Sequence, residues 1–179
     1  MRDLSEHIMD IIQNSVRAKA KLVELEIFED VKKDVYKLVF IDDGCGMSPE
    51  VLENVSDPFF TSRTTRKVGL GISLLKQNAE QTGGGLDIWS EEGKGTRLEV
   101  SFSHSNIDRP VLGNIAETMM LLVGANVEMD FVYKHVTPKG EYVFDTREVK
   151  EVLEGVALND PNILVYLKEM INENIKTII

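Results

Sequence analysis

The stretch Asp42-Asp43-Gly44-Cys45-Gly46-Met47 places two acids before a close pair of glycines. Farther along, Asp57-Pro58-Phe59-Phe60 precedes a basic run over 63–67, and that run leads to Gly69-Leu70-Gly71. Glycine lets the backbone come near a ligand where a Cβ would clash. Either glycine pair alone matches by chance, and Asp-Gly is also an ordinary turn. The ordered combination of an acid, two glycine pairs and intervening cations indicates a nucleotide held between two segments of backbone.

The overall charge of the chain is acidic. Its 179 residues include 20 Lys and Arg against 30 Asp and Glu, a formal net charge of −10. This balance argues against nucleic-acid binding, which requires a basic footprint. Cys45 is the single cysteine, which excludes an intramolecular disulfide framework and fits a reducing, cytoplasmic setting. The N-terminus is not a signal peptide, and the most apolar run, Met119 to Val123, is too short to span a bilayer, so we expect no membrane association.

Hydrophobic periodicity predicts a first unit over residues 1–103, the ATP-binding domain of the interpretation below. Asp3 and Glu6 are placed to form a capping box at the start of its first helix. Residues 56–68 show neither helical nor strand periodicity and are interpreted as a loop. The predicted elements of this unit are a helix over 4–19, strands over 22–28 and 35–41, a short helix to about Val55, a helix over 70–81 and strands over 86–90 and 96–102.

A polar connector over 103–110 separates this unit from a second one over 104–179. We predict a helix over 111–123, a strand over 128–136 joined by a hairpin to a strand around Tyr142 and Phe144, and two further helices. The apolar helix over 111–123 carries Met119 and Met120. It either belongs to the core or forms a partner surface, so a homodimer stays open.

Four segments, in this order, resemble the ATPase family that groups DNA gyrase, heat-shock chaperones, histidine kinases and mismatch-repair proteins (the Bergerat fold). They are the acid-x-x-x-Asn pattern at Asp10 to Asn14, Asp-x-Gly-x-Gly at Asp42 to Gly46, the Pro-Phe-Phe segment, and Gly-Leu-Gly at 69–71. The likeness covers residues 4–102. It implies an α/β (α+β) two-layer sandwich, with helices on one face of a mostly antiparallel mixed sheet, followed by a small C-terminal α+β appendage.

The resemblance also implies ATP and Mg²⁺ as ligands. Asp42 would accept a hydrogen bond from the adenine amino group, and Asn14 would ligate the metal through its amide oxygen. The second glycine pair would bring phosphate to the start of a helix. The basic residues of the loop would neutralise the triphosphate, although a merely solvated loop is the alternative. The residues implied to bind nucleotide are Asn14, Asp42, Gly44, Gly46, Met47, Phe60, Arg63, Arg66, Lys67, Gly69, Leu70, Gly71 and Thr96.

Asp10 occupies the position where many relatives with a hydrolytic cycle have Glu as the general base. Aspartate is one methylene shorter, and the geometry of a general base is demanding. We therefore expect ATP binding without fast hydrolysis. Taken alone, Asp10 and Asn14 lie one turn apart and would also fit a solvated helix face.

Three functions stay open at this point. The first is a kinase-like protein that phosphorylates or regulates a protein partner, with Asp10 activating the substrate hydroxyl. The second is an ATP/ADP-sensing module without chemistry, and the third is a slow ATPase with a dimer-gated cycle.

The remainder of the chain resembles the tail of small stand-alone histidine-kinase-like proteins often associated with iron hydrogenase systems. The resemblance rests on Asp108-Arg109-Pro110 and Phe144-Asp145-Thr146-Arg147-Glu148. It implies a regulatory factor or a hydrogenase-related protein as partner. Because the predicted nucleotide helix already begins at residue 4, we expect no phosphoacceptor helical hairpin before it. We expect His7, His104 and His135 to be ordinary, partly exposed side chains rather than phosphoacceptors.

Overall fold

Within residues 3–57 and 70–179, which the computed structural model describes, the chain forms six helices and six strands. The helices are α1 (Leu4–Arg17), α2 (Pro49–Asn54), α3 (Leu70–Gln81), α4 (Ile115–Ala125), α5 (Thr146–Leu153) and α6 (Pro161–Ile178). The strands are β1 (Leu22–Asp30), β2 (Val35–Asp42), β3 (Gly85–Glu91), β4 (Gly95–Ser103), β5 (Asp130–Thr137) and β6 (Gly140–Asp145). No helix in those two ranges is long and apolar enough to cross a membrane.

The strands form one sheet in the order β3-β4-β2-β1-β5-β6. β1 pairs with β5 in parallel, and the remaining neighbours of this sheet pair antiparallel. Alternate side chains along the strands, such as Leu25, Leu38 and Val100, are fully buried. Because successive side chains of a strand point to opposite faces, this alternation places the helices on one face. The expected mixed, mostly antiparallel sheet with helices on one face is confirmed.

Helix α1 presents an apolar stripe to this buried face. Leu4, Ile8 and Ile12 recur at helical spacing and are at most 1% exposed. Asp3 caps the helix, because its carboxylate accepts a hydrogen bond from the backbone N–H of Glu6 at 3.0 Å. The helix ends at residue 17, two residues before the predicted end. Shortly after it, the backbone turns through a left-handed residue at 19 (φ 57°) and enters β1.

Helix α4 begins later than the sequence pattern predicted. Residues 111 and 112 do not start the helix, because their carbonyls accept hydrogen bonds from the backbone N–H groups of Leu4 and Ser5 at 2.8 and 2.9 Å. Asn114 then caps α4 by accepting from the N–H of Glu117 at 3.1 Å. The apolar residues before the cap therefore tie the chain to the start of α1.

Residues 104–179 extend the same sheet and the same core. The parallel pairing of β1 with β5 aligns Leu25 with Tyr133, and both side chains are buried. On the helical side α4 packs against α1 and α6. The hairpin expected in this part of the chain is formed by β5 and β6. A division into an ATP-binding domain and an extension at residue 103 stays a prediction.

Candidate functional site

The carboxylate of Asp42 is held in a fixed orientation at the end of β2. One of its oxygens accepts a hydrogen bond from the Ser15 hydroxyl at 2.6 Å, and the other accepts from the N–H of Gly44 at 2.9 Å. Ser15 is a buried residue of α1. Sequence reasoning missed Ser15, although it directly follows Asn14 in the acid-x-x-x-Asn segment. The two hydrogen bonds therefore fix the orientation of the carboxylate.

The turn that follows Asp42 is tied to the chain on both sides. The N–H of Cys45 donates to the Ala18 carbonyl at 2.9 Å, and the Cys45 carbonyl accepts from the N–H of Gly93 at 2.7 Å. The N–H of Met47 donates to the Ser90 hydroxyl at 2.9 Å. The loop after α1 and the turn between β3 and β4 therefore fix the backbone of this turn.

Glycine is required in this turn by both conformation and space. Gly46 has a φ of +67°, and a Cβ there would lie 2.0 Å from the Glu91 carbonyl oxygen. At Gly44 a Cβ would lie 2.7 Å from the Ala18 Cβ. Real Cβ atoms do not approach backbone or other carbons so closely, and non-glycine residues rarely adopt a positive φ. The two glycines let the turn pack directly on its neighbours.

A pocket of about 100 Å³ opens next to this turn, between α1 and the sheet. Its walls are mostly apolar, and its polar groups are few, as in most small-ligand sites. It brings together five of the predicted nucleotide-binding residues, which are Asn14, Asp42, Gly46, Met47 and Thr96. The other lining residues are Ile11, Ser15, Ala18, Phe40, Ile72, Ile88 and Leu98.

Asp10 lies against the start of α3. A Cβ added at Gly71 would be 1.7 Å from one Asp10 carboxylate oxygen, so the Asp10 side chain would have to move to accommodate it. The carboxylate therefore occupies the N-terminal end of a helix, where negative charge is favoured. Leu70, the first residue of α3, is exposed and lies outside the pocket lining.

The amide oxygen of Asn14, the predicted metal ligand, already has a partner. It accepts a hydrogen bond from the Arg17 guanidinium at 2.8 Å, on the exposed side of α1. The amide oxygen has a second lone pair for a metal ion, but the charge of the arginine opposes a cation at this position.

Comparison with known proteins bears on this geometry. The family model described as histidine kinase-, DNA gyrase B-, and HSP90-like ATPase matches residues 2–106. The chain belongs to this ATPase family.

Sensor protein kinase PilS of Pseudomonas aeruginosa is 29% identical over 106 residues, which cover 56% of this chain and 20% of PilS. Sensor protein SrrB of Staphylococcus aureus is 34% identical over 101 residues, which cover 54% of this chain and 17% of SrrB. The chain thus spans a fifth or less of these two relatives.

Solved structures share the fold. The N-terminal domain of a DNA repair protein aligns with a TM-score of 0.55 at 18% identity, over 80% of this chain and 52% of that one. The Aquifex aeolicus MutL ATPase domain complexed with ADP aligns with a TM-score of 0.52 at 20% identity, over 86% of this chain and 70% of that one. Membership of the ATPase family supports nucleotide binding, whereas the association with hydrogenases stays a prediction.

Part of the predicted site lies outside the described residues. This applies to the Pro-Phe-Phe segment and to Phe60, Arg63, Arg66, Lys67 and Gly69. Their assignment to the nucleotide site stays a prediction.

The expectation of partly exposed histidines is wrong for two of the three. His7 is 1% exposed and His135 is 0% exposed. His135 and His104 contact opposite oxygens of Glu29 at 2.8 and 3.1 Å. Burial alone would raise the pKa of Glu29, but these hydrogen bonds hold the pKa below its ordinary value. None of the three histidines lines the pocket beside Asp42.

His7 connects α1 to α3 beside Asp10. Its Nε2 lies 3.2 Å from the Asn78 side-chain nitrogen, and its buried Nδ1 has no hydrogen-bond partner within the described part of the chain. Burial lowers the pKa of His7, although the carboxylates of Asp10, Glu6 and Asp3 oppose the shift. The neutral imidazole is therefore the form that the fold accommodates.

We expect this histidine to make stability depend on pH. The pKa of His7 in the folded protein lies below the ordinary 6.5. Near and below pH 6.5 the unfolded chain therefore binds more protons than the folded chain, and the free energy of unfolding decreases as the pH is lowered. In His7→Leu that slope should shrink. Urea unfolding of wild type and His7→Leu at a series of pH values from 6.5 downwards measures the two slopes. An unchanged slope in His7→Leu would show that other groups cause the pH dependence.

Proposed function

We propose that this chain is a Mg-ATP-binding, histidine-kinase-like protein that phosphorylates or regulates a protein partner. The observation that carries the proposal is the carboxylate of Asp42, oriented by Ser15 and Gly44 in a mostly apolar pocket. Besides these two hydrogen bonds, the carboxylate has lone pairs left for a donor from a ligand, and the adenine amino group is such a donor. Family membership supports the same ligand.

The polar groups on α1 and α3 suit the phosphate side of a nucleotide. Asn14 offers an amide oxygen, one of the hard oxygen ligands that Mg²⁺ takes together with phosphate oxygens. The N-terminus of α3 favours an anion, but the Asp10 carboxylate already lies against it. A phosphate would approach this helix end only with its own charge neutralised. A Mg²⁺ ion held by Asn14 and the nucleotide would supply that neutralisation.

Asp10 is the residue that we propose as general base. In a transfer to a protein partner, its carboxylate would accept the proton of the attacking hydroxyl. The γ-phosphoryl group of ATP would bond to the hydroxyl oxygen as its bond to ADP breaks. Its place against the backbone of Gly71 restricts the carboxylate to one side of α3. Correct placement of a base contributes about 10²–10⁴-fold to a rate.

A nucleotide-sensing module without chemistry is the second candidate. The hydrogen bond from Arg17 to Asn14 favours it, because the proposed metal ligand is already paired with a cation, whose charge opposes metal binding. Such a module would report ATP or ADP through a protein partner, and it requires different contacts in the two nucleotide states.

Asp10→Asn separates the two candidates. If the protein is a kinase or an ATPase, we expect the variant to keep its ATP affinity and to lose turnover by about 10²-fold or more. Calorimetric titration with ATP and magnesium measures the affinity, and phosphate release measures the turnover. The matched control is Asp87→Asn, which removes the same charge from an exposed position of β3 outside the pocket. A wild-type protein that binds ATP but shows no turnover to lose would support the sensing module.

A further inference from the structure

A second pocket, of about 300 Å³, runs along the free edge of β6. β6 is the last strand of the sheet and pairs on one side only, with β5. The pocket is lined by the four consecutive residues 142–145 of this strand. Side chains of a strand alternate between its two faces, so contact with four residues in succession indicates a pocket that reaches the strand edge. We call this pocket the β6-edge groove.

The wall of the β6-edge groove is apolar and open to solvent. Val149, Val152 and Leu153 of α5 line one side, and Tyr166 of α6 lines the other. Val152 is 81% exposed and Tyr166 is 62% exposed. Large apolar side chains that are exposed together around one concave surface often mark a site of interaction with another molecule.

The charged residues that line the groove are all acidic. Asp145 and Glu148 are its charged lining residues, and no lysine, arginine or histidine lines it. Asp145 pairs with Arg147, whereas Glu148 forms no ion pair with any residue in the described ranges. Over residues 140–179 the chain carries eight acids and four bases. The groove is therefore complementary to a ligand that combines apolar groups with positive charge.

We propose that the β6-edge groove binds an extended segment of a protein partner, rich in apolar and basic residues, as an added strand. An exposed strand edge offers unpaired backbone N–H and C=O groups to such a segment. Alternate side chains of the segment would enter the apolar wall, and its basic residues would approach Glu148. The site is independent of the proposed ATP chemistry, because β6 lies three strands from β2, or about 14 Å.

A synthetic peptide that alternates valine and lysine is the probe for this groove, and a peptide that alternates valine and glutamate is its control. We expect the lysine peptide to bind about tenfold or more tightly than the glutamate peptide, and its affinity to fall with salt. Fluorescence anisotropy measures the affinities of the two peptides and their dependence on salt. Equal binding of the two peptides, or no binding by either, would overturn the proposal.

A matched pair of valines locates the site. Val152→Lys removes an apolar group from the groove and adds repulsion, and we expect about tenfold weaker binding of the lysine peptide. Val165→Lys makes the same change at a 54% exposed position of α6 outside the groove and should leave binding unchanged. Both positions are solvent-exposed, so both variants should fold, which circular dichroism checks. Equal effects of the two substitutions would overturn the assignment.

Two further readouts identify the occupant. Hydrogen exchange should show new protection of β6 amides when the lysine peptide binds, and protection confined to another segment would contradict strand addition.

Light scattering tests a second copy of this chain as the occupant. A dimer that Val152→Lys dissociates and Val165→Lys preserves would overturn the proposal in favour of self-association.

Discussion

Asp42→Asn should weaken the binding of ATP and ADP by about 100-fold, corresponding to roughly 2.7 kcal/mol. The substitution keeps the shape of the side chain but removes its charge. The asparagine oxygen can still accept from the N–H of Gly44, and its amide can donate to the Ser15 hydroxyl. The oriented negative acceptor for the adenine amino group is then lost, while the turn itself stays in place.

Calorimetric titration of wild type and Asp42→Asn with ADP measures this loss. Asp87→Asn controls for the change in net charge, and thermal unfolding of each variant controls for the fold. Nucleotide affinity that is the same in Asp42→Asn and wild type would mean that this carboxylate does not contact the base.

Gly46→Ala should destabilise the protein by about 3 kcal/mol or more. A positive φ alone costs a non-glycine residue roughly 1–2 kcal/mol. At Gly46 the added Cβ would also lie 2.0 Å from the backbone carbonyl oxygen of Glu91, so the turn after Asp42 must move away from the β3–β4 turn. We expect nucleotide binding to be lost together with this stability, because the same turn carries Asp42.

Gly93→Ala is the matched control for the conformational cost. Gly93 also has a positive φ, of +78°, but nothing lies within 4 Å of a Cβ added there. Its substitution should therefore cost only about 1 kcal/mol. Urea unfolding of both variants measures the two costs. Equal destabilisation by the two substitutions would contradict the close approach of residue 46 to Glu91.

The individual helices and strands could be predicted from the sequence because they depend on short-range patterns. Alternation of apolar residues placed β1 and β2, and the spacing of Leu4, Ile8 and Ile12 placed α1. The position of Asp42 followed from its motif at the end of a strand. These features depend on neighbours within a few residues, which the sequence displays directly.

Contacts between distant segments could not be predicted in the same way. Ser15 orients Asp42 across 27 residues, and residues 111 and 112 bond to the start of α1 instead of beginning a helix. The burial of His7 and His135 depends on helices and strands that pack over them. The parallel pairing of β1 with β5 likewise joins strands about a hundred residues apart. No local periodicity encodes these partners.

The binding of ATP, ADP and GTP to the wild-type protein, titrated with magnesium, tests the central claim most directly. The oriented Asp42 carboxylate should accept from the amino group of adenine and repel the carbonyl that guanine has at that position. A buried mismatch of this kind costs about 2 kcal/mol, so we expect ATP and ADP to bind about 30-fold more tightly than GTP. Equal affinity for the three nucleotides, or no binding of any, would contradict an adenine site at Asp42.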